Sequence, residues 1–313
     1  MTVTQSPMTE TDPTSSGASR GDTGIDEVAR RLMDSSILAS RNALTEIDWS
    51  APLDPTLHGC SPEWSALYGT DYWSELSDAE RVAVTRHEMA SVMTVGIWFE
   101  MMLQQLVIRD QHAVAPHSPE FRFAMTEIAD ECRHSLMFAA ASQRVVGRSY
   151  HPSARVARMG RVFMNTARGE VAYAGILVAE EILDVLQRGS LGDPRVLPLM
   201  QTVNEVHVLE ESRHMRFARE QVRASMADAG PVRRRISAVL VALGAEMIVI
   251  NLVRPQAFAD AGLDRRRAVG EMISNEHRHA MLRTSCVHLM QFLDEVGLLT
   301  PSAARIYRRC HLL

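Results

Sequence analysis

From residue 77 onward, apolar and polar positions follow the rhythm of helices, and few stretches suggest strands. Ser77-Asp78-Ala79-Glu80 is a capping box, in which the serine hydroxyl accepts from a first-turn amide and the glutamate reaches back. It predicts a long helix running to about residue 111. Ser118-Pro119-Glu120 opens a second, with proline where a missing N–H costs nothing, and Gly147 marks its end. A third is predicted over 170–188, stopping at Gly189-Ser190-Leu191-Gly192. Asp193-Pro194 reads as the start of a fourth, which ends before Gly230-Pro231. Two more are predicted over 232–259 and 264–297, parted by Ala261-Gly262-Leu263, and an earlier one near 25–45. Residues 50–76, with Pro52, Pro55, Gly59, Pro62 and Gly69, read as irregular connection.

The expected architecture is all-α. Two helical hairpins, 77–147 and 170–229, are joined by a crossover over 148–169 with room for a short helix, giving an up-down four-helix bundle. One domain over 27–313 then contains a core bundle at 77–229 and flanking helices at 27–45 and 232–297. Residues 1–26, rich in Thr, Ser, Pro and Gly and lacking an apolar run, read as a disordered leader rather than a signal peptide.

Composition narrows the chemistry. With 313 residues, 46% of them hydrophobic, the chain can bury a sizeable core. It has 18 methionines against 17 aromatics, so the core should be aliphatic and methionine-rich, and Met89, Met93, Met101 and Met102 read as packing. All 33 basic residues are arginine. The absence of lysine excludes Schiff-base enzymes and Walker-type phosphate loops, which need an ε-amino group. A net charge of −5 provides no field for nucleic acid or an anionic membrane, so neither is an expected partner. Cys60, Cys132, Cys286 and Cys310 are scattered and form no CxxC pair, which predicts a reduced, cytoplasmic protein. The apolar run 236–253 contains Glu246 near its middle and reads as a buried helix rather than a membrane span.

Three Glu-x-x-His tetrads occur, Glu131/His134, Glu211/His214 and Glu276/His279, where composition alone predicts about one. The spacing puts both side chains on one helix face. Two further glutamates strengthen the first two tetrads. Glu100 lies inside Gly96-Ile-Trp-Phe-Glu-Met-Met-Leu103, and Glu180 lies inside Ala172-Tyr-Ala-Gly-Ile-Leu-Val-Ala-Glu180. The interval from Glu100 to Glu131 is identical to that from Glu180 to Glu211. A carboxylate does not ionise in such apolar surroundings without a proton, a cationic partner or a metal. Each hairpin thus offers one Glu and one Glu-x-x-His, the carboxylate-bridged di-metal pattern of a four-helix bundle. Oxygen-rich ligands with imidazoles suit iron, or manganese, better than closed structural zinc. Glu246 and Glu276/His279 repeat the interval one position short, but Ser274–His279 is a polar patch, and Glu246 is as well placed to pair with an arginine.

His207 precedes Glu211 by one turn, giving His207-x-x-x-Glu211-x-x-His214 on one face; the equivalent position in the first hairpin is Glu127. His207 is a candidate third imidazole ligand, and Glu127 and Asp184 are candidates to hydrogen-bond a ligand histidine from outside. Together, Glu100, Glu131-x-x-His134, Glu180 and His207-x-x-x-Glu211-x-x-His214 resemble the di-iron arylamine N-oxygenases of antibiotic biosynthesis, over about residues 77–297. The resemblance implies a ferritin-like four-helix bundle, two iron ions held by those seven residues, and dioxygen as co-substrate. It also implies oxidation of a small aromatic amine through hydroxylamine and nitroso stages to a nitro group, with an external electron donor. Glu180 rather than its neighbour Glu181 fits the matched intervals. Arg133 and Arg213 point off the ligand face and read as salt-bridge partners. Ile97, Trp98, Val178 and Leu183 are candidates to line an apolar substrate pocket.

Two other functions remain open at this level: a di-iron hydroxylase of another small or carrier-bound metabolite, and a ferritin-like iron-storage or peroxidase protein. A radical role would need a tyrosine by the metals, and Tyr173 reads as core. Long amphipathic helices outside the bundle predict a homodimer.

Overall fold

A computed structural model describes residues 24–313, so most of the leader predicted for residues 1–26 lies outside the described residues. The described chain is helical; its one β-bridge pairs His58 with Val196. In chain order the helices are α1 (Gly24–Ala39), α2 (Ala43–Glu46), α3 (Asp71–Glu75), α4 (Asp78–Asp110), α5 (Pro119–Val146), α6 (Ala154–Thr166) and α7 (Gly169–Arg188). They continue with α8 (Pro198–Ala227), α9 (Pro231–Val249), α10 (Pro255–Asp260), α11 (Arg265–Ser274), α12 (Glu276–Ser285), α13 (Val287–Glu295) and α14 (Pro301–Arg309).

Local chemistry sets the ends of the long helices. Ser77 and Glu80 close the capping box at the start of α4, and the Ser118 hydroxyl accepts from Phe121 N–H at the start of α5. Gly147 ends α5 in the left-handed region at φ 65°, where a side chain would be strained. α4 packs along α5, and α7 along α8, while α1 lies across α5 and α8 and α9 packs on α7 and α14. These contacts bury one large apolar cluster drawn from α4, α5, α7, α8, α9 and α13.

Several boundaries differ from the sequence expectation. α8 begins at Pro198, because Asp193 instead accepts from Arg195 N–H in a turn, and Leu197 N–H donates to the His58 carbonyl. The helix expected over 232–259 breaks after Val249: Ser91 of α4 donates to Leu252 O and accepts from Arg254 N–H, holding the chain open until Pro255. The one expected over 264–297 is three helices. Asn275 ends α11 and caps α12, its amide donating to the carbonyls of Ala66 and Tyr68. The connection 50–76 includes α3, and α14 lies beyond the predicted elements. Met89, Met93 and Met102 are buried as packing, whereas Met101 is 53% exposed.

α4 is long and apolar enough to cross a membrane, but 61% of its most apolar window is buried inside the protein. The run 236–253 forms most of α9, where Glu246 pairs with Arg309 at 2.6 Å. All four cysteines are unpaired thiols.

Glu88 lies on the buried face of α4, and Ala66 N–H donates to its carboxylate at 3.0 Å. Burial pushes the carboxyl up to about 7 from 4.5. A raised carboxyl favours the folded state fully below about pH 4.5, and that contribution is lost as pH rises through 7. The loss amounts to about 3 kcal/mol at most. Glu88→Gln keeps an acceptor for Ala66, so it should flatten the difference between thermal denaturation at pH 5.5 and pH 8. An unchanged difference would assign the pH dependence to other groups.

Candidate metal centre

Four long helices each send acidic or imidazole side chains into the centre of the bundle: Glu100 from α4, Glu131 and His134 from α5, Glu180 from α7, and His207, Glu211 and His214 from α8. All seven are at most 2% exposed. They form three overlapping groups, Glu131/His134/Glu211/His214, Glu100/His134/His207 and Glu180/His207/Glu211, with ligand atoms within 4.8 Å of one another in each. Glu211 Oε1 lies 3.1 Å from His134 Nδ1, 3.2 Å from His214 Nδ1 and 3.6 Å from His207 Nε2, so one oxygen faces all three imidazoles.

Each histidine is held from behind. His134 Nε2 faces Glu210 at 2.9 Å, His214 Nε2 faces Asp130 at 3.2 Å, and His207 Nδ1 donates to Gln187 Oε1 at 2.8 Å. An outer partner that accepts the N–H leaves the inner nitrogen as the one able to take a cation. The two carboxylate partners cross the bundle: Asp130 on α5 serves a histidine of α8, and Glu210 on α8 serves one of α5. Arg41 N–H also donates to Glu210 at 3.0 Å, and Arg213 lies within 4.0 Å of both Glu210 and Asp130, while Arg133 pairs with Asp130. Both tetrad arginines therefore neutralise this outer layer and leave the centre without an arginine, its only counter-charge being the His134 and His214 imidazoles, which the surrounding carboxylates push well above their ordinary value.

The centre itself is short of positive charge. Among the described residues, both Glu100 oxygens, Glu180 Oε2, Glu211 Oε2 and His207 Nε2 have no hydrogen-bond partner. Burial, then the Glu131 and Glu180 charges, push Glu100 well above the usual carboxylate range, and burial followed by Glu211 and Glu131 does the same to Glu180. Burial pushes the His207 imidazole down to about 4. Four carboxylates and three imidazoles aimed at one another, with no lysine or arginine among them, form a donor set that fits two divalent cations.

The other sequence candidates go elsewhere. Glu127 is fully buried but its oxygens have no hydrogen-bond partner, and burial pushes it up to about 8. It lies on the same helix as His134, while the carboxylates that hold the imidazoles reach across the bundle. Asp184 pairs with Arg188 at 2.6 Å rather than with a histidine. Glu181 is taken by Arg219. His279 stacks on His311 at 3.5 Å and Glu276 is largely exposed, so the third tetrad brings no ligands together. Tyr173 is buried against Phe217.

An apolar cavity opens onto Glu180, walled by α4, α6, α7 and α9. Trp98 lines it as expected. Ile97 instead packs in the cluster around Met89 and Met93, and Val178 and Leu183 sit in the main core. The cavity follows the turn of α7 preceding Glu180, through Gly175, Ile176 and Ala179, because helical side chains lean toward the N-terminus.

Asp130, Glu210 and Gln187 were missed by sequence reasoning. A signal was present in the acid immediately before each tetrad glutamate, Asp130-Glu131 and Glu210-Glu211. Neutralising one of them should loosen metal without unfolding the chain: Glu210→Gln or Asp130→Asn should weaken metal affinity about 10- to 100-fold. Competition with a chromophoric chelator measures this, and wild-type affinity in both variants would show the carboxylates to be bystanders.

The all-α architecture and the buried cluster place the chain among ferritin-like helical bundles. More narrowly, residues 22–297 match the p-aminobenzoate N-oxygenase AurF family, and the chain belongs to this family of oxygenases. It is also 26% identical over 301 residues to the uncharacterized proteins MT0908 of Mycobacterium tuberculosis (strain CDC 1551 / Oshkosh) and Mb0909 of Mycobacterium bovis. These matches cover 91% of this chain and 87% of each relative.

Proposed function

We propose that the chain is a dioxygen-activating di-iron N-oxygenase acting on a small aromatic amine. The observation carrying this reading is the set of seven buried ligand side chains with orphaned oxygens and no arginine among them, in a chain of the p-aminobenzoate N-oxygenase family. Glu100, Glu131, His134, Glu180, His207, Glu211 and His214 would hold the two ions. Two ferrous ions bound there would supply two of the electrons that dioxygen needs.

The protein's own part is positional. Asp130, Glu210 and Gln187 fix the imidazole orientations, and the apolar wall beside Glu180 excludes water and seats a flat ring. In the first oxidation one oxygen atom enters an N–H bond as a hydroxylamine and the other leaves as water. Two electrons and two protons come from an external donor, and further oxidation leads to nitroso and nitro products. An apolar cavity lined by Glu180 favours an organic substrate over iron storage.

The test is an anaerobic iron(II) titration followed by labelled dioxygen and an aniline. Saturation near two irons per chain and transfer of one labelled oxygen to nitrogen is expected. Continued iron uptake with mineral growth, or no labelled product, would refute the reading.

A further inference from the structure

α6 shows two different faces. Arg155, Arg158 and Arg161 are exposed, whereas Val156, Gly160 and Phe163 line the cavity that reaches Glu180. Apart from Glu180, every residue in that cavity's wall is apolar or glycine. Arg109 of α4 does not supply a cation, because it is committed to the carbonyls of Met164 and Ala167 at the end of α6.

The glycines in the wall differ in purpose. A Cβ on Gly160 would run into the Trp98 ring, and one on Gly175 would meet Phe163 at 2.8 Å, so both are required for α6 to close over the bundle. Gly244 of α9 is buried in the same wall, yet a Cβ there would meet nothing within 4 Å. Glycine inside a helix is less stable than alanine, so packing does not explain its presence. What it leaves is room.

We propose that this cavity selects an uncharged aromatic amine, with the amino group toward Glu180, a hydrocarbon or other neutral group at the far end, and Gly244 setting how large that group can be. The proposal rests on the oxygenase reading above and narrows its substrate class. A carboxylate on the ring would be desolvated among Trp98, Phe163 and Met247 with no cationic side chain to meet it, and the wall's backbone amides are engaged within their helices. The same lining accepts a methyl group.

Equilibrium dialysis of the anaerobic iron-loaded protein against p-toluidine and p-aminobenzoate tests this, since the two differ by methyl against carboxylate. Toluidine should bind at least about tenfold more tightly. Gly244→Leu should weaken toluidine binding at least about tenfold, and Gly244→Ala less so, with iron content unchanged in both. Met247→Arg should raise p-aminobenzoate affinity by a similar factor by placing a cation in the wall. Equal affinity for the two amines in the wild type, binding of neither, or undiminished toluidine binding in Gly244→Leu would overturn the proposal. Iron content on the same samples separates the two failures: two irons with the wrong ligand preference refutes the substrate class alone, and fewer than two refutes the oxygenase reading.

Discussion

Glu211→Ala should leave the chain unable to hold its pair of iron ions and lower arylamine-dependent oxygen consumption more than about a hundredfold, beyond the effect of losing an outer hydrogen-bond partner. Glu211 belongs to two of the three ligand groups, and its Oε1 is the atom that lies near all three imidazoles. No neighbouring carboxylate can replace it, because Glu210 is turned outward to His134 Nε2 and Arg41. The helix around it is secured by separate contacts, such as the packing of Phe217 against Phe123. Far-ultraviolet circular dichroism should therefore be unchanged while colorimetric iron content drops below one per chain. Wild-type iron content in this variant would place the metal elsewhere.

His207→Ala should separate binding from chemistry. The remaining six ligands include one complete group, Glu131/His134/Glu211/His214, so at least one iron per chain should stay bound. Amine oxidation should nonetheless fall by about ten- to a hundredfold, because this imidazole sits between Glu100 and Glu211 at 3.6 Å from each. The ring is held by Gln187 at 2.8 Å and packs against Phe138 at a centroid distance of 4.8 Å, so its removal leaves a ring-sized hole. Added imidazole should partly restore turnover by filling it. Unchanged turnover in the variant would contradict a role for the third histidine.

Much of this was legible before any coordinates. Helix starts written in a few adjacent residues, as at Ser77/Glu80 and Ser118/Pro119, fall where the sequence places them. The matched intervals pair Glu100 with Glu131 and Glu180 with Glu211 and choose Glu180 over Glu181, because a hairpin of regular helices converts interval into height along the bundle. What escaped was decided across the chain. The break after Val249 depends on Ser91, 161 residues before its partner Leu252, and the cap at Asn275 depends on carbonyls of Ala66 and Tyr68. The outer partners of His134 and His214 come from opposite helices, so looking one turn along the same helix pointed to Glu127 and Asp184 instead. The cavity depends on where α6 and α9 cross α7, which leaves no local periodicity to read.

Crystals soaked anaerobically in ferrous iron and measured across the iron absorption edge would test the central claim most directly. Two anomalous peaks among Glu100, Glu131, His134, Glu180, His207, Glu211 and His214 are predicted. No peak there, or one at another acidic cluster instead, would contradict it.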